Sequence, residues 1–317
     1  MFASIPLSQK FSHLIPIIPV YFVILTVTLS VNCYIIFDYE IHYPLTLRLI
    51  SLIIFNPFSF LTIITHLKSM FTNPGIVPNP FTYEKYSKDI IENYGLYCSK
   101  CKNKRPFRSH HCKICQKCIL KMDHHCYWIA NCVGYNNQKN FYQFLFYATF
   151  GDLIAFFLLC HISIFYIDFK ISNNIPYGIK VTGVLDLIYY MRKQIFIVAG
   201  ILCSISMVIS IGFLFVKQTK MLMKNQTTIE RKLHPNWEES IFNINNEKKA
   251  FESVMGNNFL EYFSLTFHDK YGKYTPLMKE LSSLEIDNKN IGIEVKVGEF
   301  EKKRNNNKDL YHQIDNN

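Results

Sequence analysis

The sequence predicts an all-α membrane protein: four transmembrane helices, with a cytosolic two-zinc cysteine-rich domain between the second and third. Three observations carry that prediction. Apolar stretches of spanning length recur at Leu14–Phe37, Leu47–Leu67, Phe141–Ile167 and Ile195–Val216. A spanning helix needs roughly 20 mostly apolar residues with few charges, and all four windows meet that requirement. Lys and Arg gather on one side of these stretches. Seven of the ten cysteines and four of the eleven histidines fall in one segment, Cys98–Phe141.

Composition alone is neutral, because 317 residues, 49% hydrophobic with a net charge of +10, suit either a soluble domain or a small membrane protein. The segments decide. The first apolar run is too long for a cleaved leader and no small-residue cleavage site follows it. The expected organisation is an N-terminal segment over 1–13, spans one and two within 14–67, a loop over 68–140, spans three and four within 141–216, and a C-terminal region over 217–317. No internal repeat is apparent.

Orientation follows from the cationic residues. Cys98–Lys139 carries nine Lys or Arg against one acid, Asp123, and Lys217, Lys220, Lys224, Arg231 and Lys232 follow the fourth span, whereas the first loop shows Asp38 and Glu40. The positive-inside rule then puts both termini and the cysteine-rich loop in the cytosol, with an endomembrane (Golgi or ER) expected over the plasma membrane. A reducing compartment suits thiols kept for metal and catalysis. Cys33, Cys160 and Cys203 lie inside spans and read as small packing residues.

Within the spans, Asn56-Pro57 is expected to kink the second. Asp152, costly in hydrocarbon, is expected either to hydrogen-bond a neighbouring helix or to serve the site. Phe141, Phe144, Ala148, Gly151 and Ala155 share one face of the third span. Its small residues either admit another helix or leave room for a ligand.

The segment Cys98–Phe141 reads CSKCKNKRPFRSHHCKICQKCILKMDHHCYWIANCVGYNNQKNF. Cysteines at C-x-x-C spacing grip a tetrahedral ion from a tight turn. Eleven groups are candidates: Cys98, Cys101, Cys112, Cys115, Cys118, Cys126 and Cys132, with His110, His111, His124 and His125. Each closed zinc takes four ligands. Two ions therefore leave three groups over, and a thiol left over beside histidines and an aspartate is arranged for thiol chemistry.

The full pattern, Cys98-x2-Cys101-x3-Arg105-Pro106-x-Arg108-x2-His111-Cys112-x2-Cys115-x2-Cys118-x4-Asp123-His124-His125-Cys126-x5-Cys132-x4-Asn137-x3-Phe141, resembles the cysteine-rich domain of the DHHC-type protein S-acyltransferases, without departure. The resemblance implies one structural Zn2+ on Cys98, Cys101, His111 and Cys118 and a second on Cys112, Cys115, His125 and Cys132. It implies Cys126 as nucleophile, His124 as base and Asp123 as the residue that orients it. An acyl-CoA, palmitoyl-CoA, is the implied co-substrate, and the implied partners are the lipid bilayer and proteins with cytosolic juxtamembrane cysteines. Nucleic acid is not expected.

Arg105, Arg108 and Lys139 are candidate donors to the coenzyme's phosphates, the other reading of them being the positive-inside excess. The resemblance also implies an acyl cavity between the spans, whose mouth Phe141 and Phe144 would line beside Trp128. Asn73-Pro74-Gly75 is a turn that resembles the family's Asp-Pro-Gly motif with Asn for Asp. Thr227-Thr228-Ile229-Glu230 reads as a capping box and matches the family's Thr-Thr-x-Glu. Lys249–Gly256 resembles the family's aromatic and glycine tail motif, with Ala250 where Asn is usual. The chain from about Lys270 is too polar to fold alone. A scaffold that merely presents its zinc-stapled surface is the alternative to an enzyme, but it has no need of an unliganded thiol beside a His-Asp pair.

Overall fold

The computed structural model describes residues 15–37, 44–79, 96–106, 108–172, 184–233 and 246–265. The expectations for residues 1–13, for the Asp38 and Glu40 loop and for the tail beyond Lys270 lie outside these. Among the described residues the elements run α1 (Ile17–Phe37), α2 (Leu45–Phe71), β1 (Leu96–Cys98), β2 (Asn103–Arg105), β3 (His110–Cys112), β4 (Lys117–Ile119), β5 (His124–Cys126), a 3-10 turn (Tyr127–Ile129), β6 (Asn131–Val133), α3 (Gln138–Ser172), α4 (Val184–Met223), α5 (Thr228–Leu233), α6 (Glu247–Met255) and α7 (Phe259–Phe263). The chain divides into two compact units.

The first is helical and comprises Phe11–Leu67 and Tyr142–Lys217. Its core is a ladder of aliphatic side chains: Val27, Val31 and Ile35 of α1 meet Phe55 of α2, Ala155, Leu159 and Ile162 of α3 and Ile197 of α4. The i, i+4 spacing on α1 puts its three contributors on one face. Ile18, Phe22, Leu25 and Leu29, on the other face, are exposed. A helix apolar all round belongs in a core or in lipid. Leu45–Phe71, Gln138–Ile164 and Ile195–Met223 are long and apolar enough to cross a membrane. In α1 the apolar stretch Ile17–Cys33 is shorter than these.

Two helices outrun the expected spans, α3 continuing to Ser172 and α4 beginning at Val184, so much of what reads as a loop after Ile167 is helix. Helix α2 continues through Pro57. Its Asn56 exchanges two amide hydrogen bonds of 3.1 Å with Asn32 of α1. Below that pair Thr28 and Ser59 hydroxyls lie 2.8 Å apart. The hydrogen bond expected of Asp152 is not made: its side chain has no hydrogen bond or ion pair among the described residues. Gly151 faces α2, where a Cβ would stand 3.3 Å from the Phe58 Cβ. That is the close approach of helices rather than open space.

The second unit holds Lys68–Phe141 and the described residues from Gln218 onward. It contains three antiparallel hairpins, β1-β2, β3-β4 and β5-β6. They form a repeat that the sequence hides. Cys98 pairs with Asn103, Cys112 with Lys117 and Cys126 with Asn131, so the same register recurs at intervals of fourteen residues. A residue of positive φ closes each hairpin at the same place: Lys102 (48°), Gln116 (53°) and Ala130 (45°). The absence of a repeat expected from the sequence is therefore corrected. The cysteines expected to hold zinc recur at this interval, but Leu96-Tyr97 stands where the later hairpins have His-His, and Ile129 stands where the earlier ones have a second cysteine.

Turns lock the hairpins together. Asn73 Oδ1 accepts the N–H groups of Gly75 (3.0 Å) and Ile76 (2.9 Å), so the amide keeps the turn an aspartate would make. Gly75, at φ 103°, turns the chain so that its carbonyl accepts Leu120 N–H at 2.8 Å. Gly134 lies so close to Pro74 and Ile119 that a Cβ would come within 2.4 Å of the Pro74 carbonyl oxygen. Asn131 Nδ2 donates to the carbonyls of Ser69, Met70 and Thr72, and Asn137 Nδ2 to Ser69. Two asparagines of the third repeat thus satisfy the carbonyls that the end of α2 leaves without helical partners.

Candidate active site and paired metal centres

Alternation along a strand explains how so short a segment serves two purposes, because neighbouring side chains point to opposite faces. On β3, His111 and Cys112 are adjacent and diverge. The His111 ring nitrogen Nδ1 lies 3.6 Å from Cys98 Sγ and 3.2 Å from Cys101 Sγ, and Cys101 Sγ is 3.7 Å from Cys118 Sγ. Cys112, on the other face, joins Cys115, His125 and Cys132. Here His125 Nδ1 is 3.6 Å from Cys112 Sγ and 3.5 Å from Cys115 and Cys132 Sγ, with Cys115 and Cys132 also 3.5 Å apart.

These distances fit zinc. A tetrahedron with metal–sulfur bonds of about 2.3 Å and metal–nitrogen bonds of about 2.0 Å has edges of roughly 3.5 to 3.8 Å. Both sets of four ligand atoms lie within 4.8 Å of one another. Each cluster takes the two cysteines of one hairpin's turn and a cross-strand pair from the next hairpin, His111 with Cys118 or His125 with Cys132. The two groupings are those the resemblance implies.

The third hairpin has no successor. Its first turn cysteine, Cys126, occupies the register position that Cys98 and Cys112 hold in the earlier hairpins, and it joins neither cluster. Strand alternation puts His124 on its side and His125 on the other, and the Cys126 thiol lies close enough to the His124 ring to strengthen its hold on a proton. His124 Nδ1 lies 2.6 Å from Asp123 Oδ2. That leaves Nε2 as the ring nitrogen for the thiol.

Asp123 is 1% exposed and fully used. Its Oδ1 accepts Thr228 N–H at 2.5 Å, and its Oδ2 accepts Gln218 Nε2 at 2.9 Å as well as His124. Burial alone would push the carboxyl up, but His124 first, then Thr228 and Gln218, bring it down to about 2. Burial likewise opposes a charge on His124, yet Asp123 and Cys126 outweigh it and hold the ring up to about 10. At neutral pH the ring therefore keeps a proton, which suits a thiolate beside it. Phe141, 4% exposed, sets its ring edge-to-face on His124 with centroids 5.6 Å apart.

The Thr-Thr-x-Glu segment satisfies both of its readings. Glu230 N–H donates to Thr227 Oγ1 at 3.2 Å while Glu230 Oε2 accepts Thr227 N–H at 2.7 Å, a reciprocal capping box at the start of α5. The same carboxylate holds Arg108, with Nε to Oε1 at 2.5 Å and Nη2 to Oε2 at 2.9 Å. Arg108 also reaches the Asn225 carbonyl at 2.6 Å, and Lys121 Nζ reaches Asn225 Oδ1 at 2.9 Å.

The expected coenzyme donors are occupied inside the protein. Arg108 is 6% exposed in that fork, Arg105 is 5% exposed with Nη1 on the Ser109 carbonyl at 2.6 Å, and Lys139 is 3% exposed with Nζ on the Glu261 carbonyl at 2.6 Å. Tyr127 and Trp128, directly after Cys126, are by contrast more than half exposed. Phe144 is buried, in the helical unit, edge-on to His66 at 5.0 Å. Sequence reasoning missed Gln218, Lys121, Asn225 and Asn131. None sits in a spaced motif, and their partners lie far along the chain.

Residues 91–234 match the family described as DHHC palmitoyltransferase. The probable protein S-acyltransferase 12 of Arabidopsis thaliana is 33% identical over 224 residues, 66% of this chain and 70% of that protein. The chain belongs to the DHHC palmitoyltransferase family. That makes it an enzyme, a protein S-acyltransferase. Probable protein S-acyltransferase 13 of the same plant is 30% identical over 251 residues, 73% of this chain and 77% of that protein. The human palmitoyltransferase ZDHHC3 is 41% identical over 118 residues, but these cover only 35% of this chain and 38% of the human protein.

Proposed function

We propose that this chain moves a palmitoyl group from palmitoyl-CoA to cysteines of other proteins through an acyl-enzyme on Cys126. The observation that carries the reading is the division of labour on β5, where His125 joins a metal cluster and His124 and Cys126 pair beside Asp123. In the first step the Cys126 thiolate attacks the carbonyl carbon of the thioester. A new carbon–sulfur bond forms, the bond to the coenzyme sulfur breaks, and the leaving thiolate takes the proton that His124 holds. In the second a substrate cysteine gives its proton to His124 and attacks the acyl-enzyme, and Cys126 leaves as thiolate. Asp123 fixes the ring tautomer and stabilises the imidazolium throughout, as in other Cys-His sites.

Two zinc ions on the eight ligands would be structural, since four protein ligands each leave no open position. In this reading α1 is the fourth span, both termini and the hairpins face the cytosol of an endomembrane, and the substrates carry juxtamembrane cysteines. Arg105, Arg108 and Lys139 brace the fold, while Trp128 and Phe141, beside the nucleophile and its base, meet the acyl group. A zinc-stapled scaffold would have no use for the His124 and Cys126 pair. The test is incubation of purified protein with labelled palmitoyl-CoA. A hydroxylamine-sensitive adduct at Cys126, absent from Cys126→Ser while zinc content stays at two, is the expected result; normal labelling of that variant overturns the mechanism.

A further inference from the structure

The donors that surround Asp123 point to a residue outside every motif. A carboxylate only accepts hydrogen bonds, so the Gln218 amide must present its N–H to Oδ2. Both donors other than His124, Gln218 at 2.9 Å and Thr228 N–H at 2.5 Å, come from one segment, the end of α4 and the start of α5. Thr228 donates from the backbone and any residue but proline could replace it. Gln218 donates from its side chain, at 5% exposure, so its identity matters. It shares Oδ2 with His124, and the two donors together fix the plane of the carboxylate that aims the ring.

We propose that Gln218 is a positioning residue for acyl transfer, holding Asp123 in the rotation that keeps His124 aimed at Cys126. The proposal rests on Asp123, His124 and Cys126 acting as read above. Neutrality is part of the fit. A lysine at 218 would compete with His124 for the carboxylate, a glutamate would repel it, and an apolar side chain would leave a buried oxygen short of a donor. Gln218 stands on a long helix anchored through the Arg108, Lys121 and Asn225 contacts just beyond it, so its position does not depend on Asp123 alone.

The test measures acyl-enzyme formation from labelled palmitoyl-CoA in full-length protein. Gln218→Met should lower kcat roughly tenfold or more, the scale of one hydrogen bond to a charged group, with KM for palmitoyl-CoA and zinc content unchanged and the chain still folded at the assay temperature. Gln218→Glu should lose more than Gln218→Met. Gln218→Asn keeps the amide but falls one methylene short, and it should match Gln218→Met, so it serves if methionine unfolds the chain. In an Asp123→Asn background the effect of Gln218→Met should vanish. A wild-type kcat in both the Met and Asn variants, or an equal effect in the Asp123→Asn background, overturns the proposal. Wild-type protein is labelled first: no adduct at Cys126 defeats both readings, whereas an adduct with no effect of Gln218 defeats this one alone.

Discussion

Arg108 and Glu230, 122 residues apart in the chain, form a buried bidentate pair with side chains 3% and 6% exposed. The pair joins the loop before β3 to the first turn of α5, and that turn also carries the N–H that holds Asp123. Removing one partner of such a pair leaves an uncompensated charge in the protein. Arg108→Leu and Glu230→Gln should each destabilise the hairpin unit by about 3 to 5 kcal/mol. Arg108→Lys should not rescue, because an ammonium cannot make the fork. Thermal unfolding of detergent-solubilised variants measures this, and wild-type melting of either single variant would contradict it.

The hairpin repeat makes a sharper demand on the third turn. Ile129 holds the place that Cys101 and Cys115 hold in the earlier hairpins, and it is fully buried. Ile129→Cys should therefore recreate a Cys-x-x-Cys pair with the nucleophile, a ready two-thiolate grip for soft ions. The expected variant folds, retains acyl transfer in buffer free of Cd2+ and is inhibited at Cd2+ concentrations well below those that inhibit the parent protein. Equal sensitivity of parent and variant would show that the third turn does not share the geometry of the other two.

How much of this could be read beforehand depended on sequence distance. The eight candidate metal ligands, the candidate catalytic three and the capping box lie in spaced patterns within one short stretch each, and the structure brings each group together. The repeat was present in the same letters, yet it is legible only when register is known, because Leu96-Tyr97 and Ile129 interrupt it. Arg108 looked like a donor to phosphate because its acceptors, Asn225 and Glu230, lie more than a hundred residues away. The partner of Lys139, the Glu261 carbonyl, is equally distant in the chain. A basic residue near a span end reads as a surface charge, and nothing local announces that Glu261 will cover it.

Lys139 and Lys68 make a pair of anchors for the tail. Their ammonium groups donate to the carbonyls of Glu261 (2.6 Å) and Leu265 (2.5 Å), near and just past the C-terminal end of α7, a helix end that attracts cations. Lys139→Met should therefore loosen the tail and leave the coenzyme unaffected. Faster proteolytic cleavage near Phe259–Ser264 with an unchanged KM for palmitoyl-CoA is expected. A KM raised severalfold with the tail still protected would return Lys139 to the coenzyme.

Two glycines of α4 offer a paired test of the helical unit. At Gly200 a Cβ would stand 2.7 Å from the Ser30 Cβ and 2.9 Å from Leu159 Cδ1, distances no real contact tolerates. At Gly212 its nearest neighbour would be Thr149 Cγ2 at 3.5 Å, an ordinary contact. The leucine could swing aside, but the Ser30 Cβ moves only with the α1 backbone, and Ser30 Oγ already donates to the Phe196 carbonyl of α4 at 2.9 Å. Gly200→Ala must then push α1 from α4 at a cost of about 1 to 3 kcal/mol, the usual scale of overpacking. Gly212→Ala meets no such obstacle and gains up to about 1 kcal/mol from replacing glycine within a helix. Heat inactivation in micelles should therefore come earlier for the first variant and no earlier than wild type for the second. Adding Ser30→Gly should restore Gly200→Ala in part; if it restores nothing, the clash with α1 is not what destabilises that variant.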